Sequence, residues 1–270
     1  MSIPRILHYP GSKWSMAEWI ISHMPEHKTY LEPFLGSGAV LFNKPRSPIE
    51  TVNDLDGEVT NLFEIVRTRP EELARAIYWT PYSRDEYYRS YEPAKDDLER
   101  ARRFLVRTWQ AIGAKTSDRT GWRSHVQADK SPSKTTAWQW GGLPEKLLQV
   151  TERLQGVQIE NKSATAIIER YKQKNCLIYC DPPYILSTRS NRLYRCEMTE
   201  ADHAELLDAL DQHPGPVLLS GYAHPLYDDR LRHWNRETKK AKAEAGAARE
   251  EVLWINPVAA SRAGQLVLNL

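Results

Sequence analysis

The sequence predicts an α/β fold with a largely parallel sheet, interrupted by an inserted, mostly helical region. Three observations carry this reading. Short apolar, β-favouring segments alternate with segments of helical period at both ends of the chain. Two of the strands run into turns suited to a ligand, at 32–38 and at 181–184, and open α/β sheets bind ligands at the carboxyl ends of their strands. Between those turns the alternation lapses. The boundaries that follow are 1–67 and 161–270 for the core and 68–160 for the insertion.

In chain order, His8 to Lys13 is a loop with Pro10-Gly11 as its turn signal. A helix follows over 15–24, with Trp19, Ile20 and Met24 on one side. The strand 29–31 leads through Gly36-Ser37-Gly38 into the apolar helix start Ala39-Val40-Leu41-Phe42. A second strand, 49–53, ends at Asp54. The helix 57–67 carries Val59, Leu62, Phe63 and Val66 at helical spacing. The middle holds helices over 71–78, 95–112 and 145–154, with a loop of about thirty residues between the last two; loops that long are usually functional or disordered. Alternation resumes with a helix over 164–171 and a buried strand over 177–180. A polar loop, 187–197, follows the second ligand turn. The next helix, 199–212, is capped by Thr199 with Asp202 three residues on, and a buried strand spans 217–220. The charged stretch 236–250 reads as a mobile loop or an exposed helix. Strands over 252–256 and 265–269 read as an antiparallel pair closing the sheet edge.

At 270 residues with a net charge of only +2, bulk charge points to no partner. Its distribution does: residues 100–134 hold nine Lys/Arg against two Asp/Glu, the footprint of a polyanion site. No apolar run reaches membrane-spanning length, and the amino terminus lacks a secretory pattern, so a cytoplasmic protein is expected. Cys176, Cys180 and Cys196 form no zinc-type pattern with histidines, and no metal site is expected.

The chemistry centres on Asp181-Pro182-Pro183-Tyr184. Neither proline has an N–H and each fixes its own φ, so a stiff turn closes the strand. It presents a carboxylate, carbonyls with few competing N–H groups, and an aromatic ring. A flat base with an exposed amine suits such a turn: Asp181 and the Pro182 carbonyl accept its two hydrogens, and Tyr184 stacks on its face. Read alone, the motif has a second, less favoured reading as a strand-ending Pro-Pro turn with a helix-capping Asp and a core Tyr. The 36–38 loop lets the backbone approach a ligand closely. It lacks the third glycine of a dinucleotide fingerprint, because Leu41 stands there, and it has no P-loop lysine. A nucleoside without phosphate fits better. Asp54, at the end of the second strand, is where an acidic residue takes ribose hydroxyls.

These groups, taken in order, resemble the Dam-like DNA adenine methyltransferases: Tyr9-Pro10-Gly11-Ser12-Lys13, then Leu31-Glu32-Pro33-Phe34-Leu35-Gly36-Ser37-Gly38, then Asn53-Asp54, then Cys180-Asp181-Pro182-Pro183-Tyr184. The order is that of the family's alpha group, with donor motifs first, target recognition next and the catalytic motif last. Tyr9 stands where some members carry tryptophan. The resemblance implies a Rossmann-like sheet, S-adenosylmethionine as methyl donor and duplex DNA as partner, with the 6-amino group of a flipped-out adenine as target. It also fits a restriction-modification setting. By motif position Tyr9, Gly11, Lys13, Phe34, Gly36, Gly38, Asp54 and Asp181 would bind the donor, and Asp181, Pro182 and Tyr184 would act on the base.

For DNA contacts, Arg103, Arg119, Arg123, Lys130 and Lys134 in the insertion, and Arg189 and Arg192 after the catalytic turn, are the candidates. The arginines of 100–107 also read as a solvated helix face. Two other readings stand beside the main one. Another amine methyltransferase would act on cytosine, RNA or a protein glutamine, but in the resembling families Ser or Asn opens the motif for cytosine and glutamine, and Asp for adenine. A cytosine-carbon enzyme would need a thiol nucleophile, and Cys180 reads as core. The last reading is a DNA-binding module on an inactive core. The sequence assigns no recognition site and no oligomeric state.

Overall fold

The structure is a computed structural model that describes residues 3–125, 135–189, 191–242 and 248–268. In chain order its elements are α1 (Ala17–Ser22), β1 (Thr29–Glu32), α2 (Ala39–Asn43), β2 (Ile49–Asn53), α3 (Gly57–Thr68), α4 (Pro70–Tyr78), α5 (Arg84–Arg89), α6 (Asp97–Gln110), α7 (Thr136–Gly141) and α8 (Leu143–Leu154). Then follow β3 (Val157–Glu160), α9 (Ala164–Arg170), β4 (Cys176–Cys180), α10 (Glu200–Asp211), β5 (Val217–Gly221), α11 (Pro225–Arg230), β6 (Asn235–Lys242), β7 (Ala248–Ile255) and α12 (Pro257–Leu268). They fall into two compact units: Met1–Ser12, Asp56–Gln155 and Leu193–Arg195 form the first, and Lys13–Leu55, Gly156–Arg192 and Cys196–Leu270 the second.

The second unit holds a seven-stranded sheet in the order β3-β2-β1-β4-β5-β7-β6. The five strands from β3 to β5 run parallel; β7 is antiparallel to β5, and β6 to β7. The parallel strands step outward in succession, β1 to β3 on one side and β4 to β5 on the other, and β7 then inserts between β5 and the edge strand β6. The direction of winding therefore switches between β1 and β4, where the carboxyl ends of adjacent strands leave a crevice. All of β4 and β5 is buried, as expected of central parallel strands covered on both faces. Leu31, Ile178 and Leu219 pack against Ile167, Ile168, Leu206 and Leu210 from α9 and α10. The sequence-level cap of α10 is a full capping box, with Thr199 and Asp202 satisfying each other's backbone N–H groups.

The first unit is helical. Val59, Leu62 and Phe63 of α3, Leu73 and Ile77 of α4, Phe104, Leu105 and Trp109 of α6, and Leu147 and Val150 of α8 are buried together in it.

Several expectations need correction. The 236–250 stretch is neither loop nor helix: its described residues form β6 and β7, whose alternating partners include Lys239 opposite Glu251 and Lys240 opposite Glu250. Opposite charges across strands offset the poor β-propensity of Lys and Glu. Residues 265–268 belong to helix α12, not to an edge strand. The helix opens upstream at Pro257, a residue suited to a first helical turn, and carries the apolar end of the chain with it. Residues 157–160, placed at the end of the insertion, are β3, the far edge of the sheet. Helices α5 and α7 were not anticipated.

Candidate active site

Strand β1 ends at Glu32, and the next six residues form a loop tied to the end of β2. Asn53 donates to the Pro33 carbonyl at 2.9 Å, and its backbone carbonyl accepts the Leu35 N–H at 2.9 Å. The Gly36 N–H donates to Asp54 Oδ2 at 2.9 Å. Gly36 and Gly38 both have positive φ, 48° and 68°, which glycine adopts without strain. Gly38 caps the start of α2, where an added Cβ would lie 2.5 Å from the Phe42 ring. The glycine loop and the acidic strand end, recognised separately in the sequence, are thus one hydrogen-bonded assembly. Asp54 is buried, and one of its oxygens orients the loop.

Beside β1, the fully buried β4 delivers Asp181. Lys13 Nζ stands 3.0 Å from Asp181 Oδ1, an ion pair not aligned as a hydrogen bond. The same ammonium lies 4.7 Å from the centroid of the Tyr184 ring. Burial pushes the Asp181 carboxyl up to about 6, with Lys13 opposing and Glu251 adding to the shift. Its Oδ1 is buried, while the side chain as a whole keeps 17% exposure. Close by, burial raises Glu32 to about 8, against the hydrogen bond it accepts from Tyr30 at 2.8 Å. Burial also raises the Cys180 thiol, consistent with a core residue and not a nucleophile.

Tyr184 is held at both ends. Its hydroxyl donates to Glu251 Oε2 at 2.6 Å, and its carbonyl accepts from Arg189 Nε at 2.7 Å. The Arg189 guanidinium forms a buried, two-pronged pair with Glu197. Tyr222 packs edge-on at 4.5 Å. Arg189, a candidate DNA contact, is thereby committed to bracing the turn, whereas Arg192 is exposed. Glu251 and Glu197 were missed in the sequence, where neither belongs to a motif.

In the first unit, Tyr9 and Gly11 lie beside Tyr194. The Tyr9 and Tyr194 rings are 5.9 Å apart, and Tyr194 donates to the Pro10 carbonyl at 3.3 Å. Gly11 has φ 66°, and a Cβ there would overlap the Tyr194 hydroxyl. The arginines of α6 are largely internal. Arg102 pairs with Glu99 and Glu86, and Arg103 pairs with Glu99 and donates to the carbonyls of Arg89, Glu92 and Pro93. These contacts engage Nε and Nη1 of Arg103 and hold it against the 89–93 turn. The following loop is pinned by tyrosines: Tyr82 donates to the Arg123 carbonyl and Tyr87 to that of Thr120, each at 2.8 Å. Arg119 is exposed and rides over Tyr88. A cleft of about 470 Å³ opens here, lined by Arg100, Arg103, Arg107, Lys115, Arg119 and Arg195 together with the acids Asp56, Glu58, Glu92 and Asp118. Lys130 and Lys134 lie outside the described residues. Among the described residues no group of His, Cys, Asp and Glu is arranged to hold a metal ion, and no helix is long and apolar enough to cross a membrane.

Comparison with known proteins agrees with this geometry. The family model described as D12 class N6 adenine-specific DNA methyltransferase matches residues 9–245. The DNA adenine methylase of Salmonella typhi is 25% identical over 86% of this chain and 84% of its own. The enzyme of the same name from Escherichia coli strain K12 is 24% identical over the same shares, and that of Vibrio cholerae O395 is 25% identical over 68% and 67%.

Proposed function

Because the chain belongs to the D12 class of N6 adenine-specific DNA methyltransferases, we propose that its catalytic centre is the crevice between β1 and β4, with Asp181, Pro182 and Tyr184 acting on the adenine. The observation that carries this is the convergence, at one switch point, of the Asp54-braced glycine loop with the Asp181 turn. The donor is S-adenosylmethionine, which supplies an electrophilic methyl group on a sulfonium. The residues present fit it: Gly36 and Gly38 leave room for close approach, Asp54 offers a carboxylate for ribose hydroxyls, and the phosphate-free loop suits a nucleoside. Lys13 and Phe34 complete that wall, and Tyr9 and Gly11 belong to the same motif set.

The 6-amino group of adenine is a poor nucleophile, because its lone pair is delocalised into the ring. Asp181 and the Pro182 carbonyl accept its two N–H groups, which favours a pyramidal nitrogen whose lone pair faces the methyl group. Catalysis is then alignment and electrostatics. The Asp181 carboxylate must be ionised to accept, and Lys13 favours that state. In duplex DNA the base has to leave the stack, and Tyr184 replaces the lost stacking. The helical region from 68 to 155 reads the target, with Arg119, Arg123, Lys130 and Lys134 as its DNA contacts and Arg192 as a further contact after the 181–184 turn; Arg103 and Arg189 act by bracing. The enzyme works in the cytoplasm on double-stranded DNA. Incubation with labelled donor and duplex DNA, followed by mapping of the methylated base, tests the reading. Label on the 6-amino group of adenine that disappears in Asp181→Ala is the expected result. Label elsewhere, or an active Asp181→Ala, refutes it.

A further inference from the structure

Tyr184 is the residue whose ring has to meet the target base, so what fixes that ring bears on the rate of transfer. Its carbonyl end is set by Arg189, itself locked to Glu197. Its hydroxyl end is set by a residue 67 positions away, on a strand of the sheet. Glu251 lies in β7, one position before the pairing of Val252 with Gly221 at the end of β5. Because β7 runs antiparallel to β5, its early residues come to the carboxyl edge of the parallel strands, the edge that holds Asp181. Both Tyr184 and Glu251 are 9% exposed.

A carboxylate is a costly acceptor to bury, and an amide or carbonyl would serve to satisfy one phenol. A carboxylate does two further things. It makes the hydrogen bond charge-assisted and short, which narrows the freedom of the ring. It also turns the phenol into a more electron-rich face toward a base that gains positive character as the methyl group arrives.

We infer that Glu251 is a positioning residue for methyl transfer, holding the Tyr184 ring through its hydroxyl in the orientation that receives the flipped adenine. This rests on the proposed role of the 181–184 turn. Glu251 touches no reacting atom; it acts through Tyr184.

The test is single-turnover methylation of plasmid DNA with labelled S-adenosylmethionine and enzyme in excess, on Glu251→Ala, Glu251→Gln, Tyr184→Phe and the Tyr184→Phe/Glu251→Ala pair. Donor affinity is titrated for each. Glu251→Ala slows transfer on the order of ten- to a hundredfold, the loss of one charge-assisted hydrogen bond, with donor affinity within about twofold of the parent. Glu251→Gln recovers part of the rate and stays between Glu251→Ala and the parent, because its amide oxygen still accepts but the charge is gone. The double variant is no slower than Tyr184→Phe by more than about twofold, since both changes remove the same contact. A parental rate in Glu251→Ala, or losses that multiply in the double variant, overturns the inference. So does a rate loss matched by an equal loss of donor affinity. If Glu251→Ala does not fold, a parental rate in Tyr184→Phe overturns it instead. Asp181→Ala is run alongside. If it too is active, the reading of the turn has failed; if it alone is inactive, only the role of Glu251 has.

Discussion

Gly38 offers a quantitative check on how the donor loop is built. Its φ of 68° and ψ of 22° place it in the left-handed region, where an L side chain costs about 1–2 kcal/mol. An added Cβ would sit 2.5 Å from Phe42 Cε2 and 2.9 Å from Cδ2, and Phe42 is buried with nowhere simple to go. Overpacking of that kind costs about 1–3 kcal/mol. Gly38→Ala is therefore expected to destabilise the protein by roughly 2–5 kcal/mol, a large share of the roughly 5–15 kcal/mol of a typical domain. The two contributions are separable. In a Phe42→Ala background the overlap is gone, and the same glycine change costs only the left-handed penalty of about 1–2 kcal/mol. Urea unfolding of the four proteins, compared at constant slope, measures both numbers. A Gly38→Ala loss below about 1 kcal/mol, or an equal loss in both backgrounds, refutes the reasoning.

The pH dependence of kcat/KM follows from Asp181. Its carboxyl is raised to about 6 and must be ionised to accept the amine, so the rate climbs through about pH 6 and levels above it. Removing the opposing cation in Lys13→Ala moves that limb to higher pH; an unmoved limb argues against the pair. Asp54→Ala weakens S-adenosylmethionine binding far more than DNA binding, because it loses both the ribose acceptor and the brace on Gly36; unchanged donor affinity in a titration removes Asp54 from the site. Arg119→Ala lowers DNA affinity on all sequences and reduces the slope of binding against salt by about one unit, while Arg103→Ala lowers thermal stability instead; the reverse outcome shows the internal pairing of Arg103 to be unimportant.

The parts of the site that were legible in the sequence share a cause. Gly36, Gly38, Pro182 and Pro183 are residues whose backbone properties dictate local geometry, and Asp54 and Asp181 stand at strand ends, where one residue's position follows from the strand before it. What remained hidden depended on contacts distant in sequence. Glu251 reaches Tyr184 from 67 positions away, and Glu197 meets Arg189 within one irregular loop; nothing around either is patterned. The arginines of α6 read as a basic face because many of their partners, Glu86, Glu58 and the carbonyls of 89–93, lie outside the helix; Asp97 and Glu99 are the partners within it. The β6–β7 hairpin was missed because charge-rich strands rely on cross-strand pairing, which periodicity within one segment does not reveal.

Strand β6 closes one side of the sheet, and everything from Asn235 to Lys240 on it is exposed. A sheet that ends in an apolar strand invites another copy to add to it, and self-association through such rims is a common route to aggregates. Here the rim is lined with Arg236, Glu237, Lys239 and Lys240, so a second molecule approaching edge to edge would have to strip water from a row of charges. The same composition that disguised this stretch as a loop thus works against polymerisation at this rim. It lets the catalytic sheet extend to a seventh strand and end there.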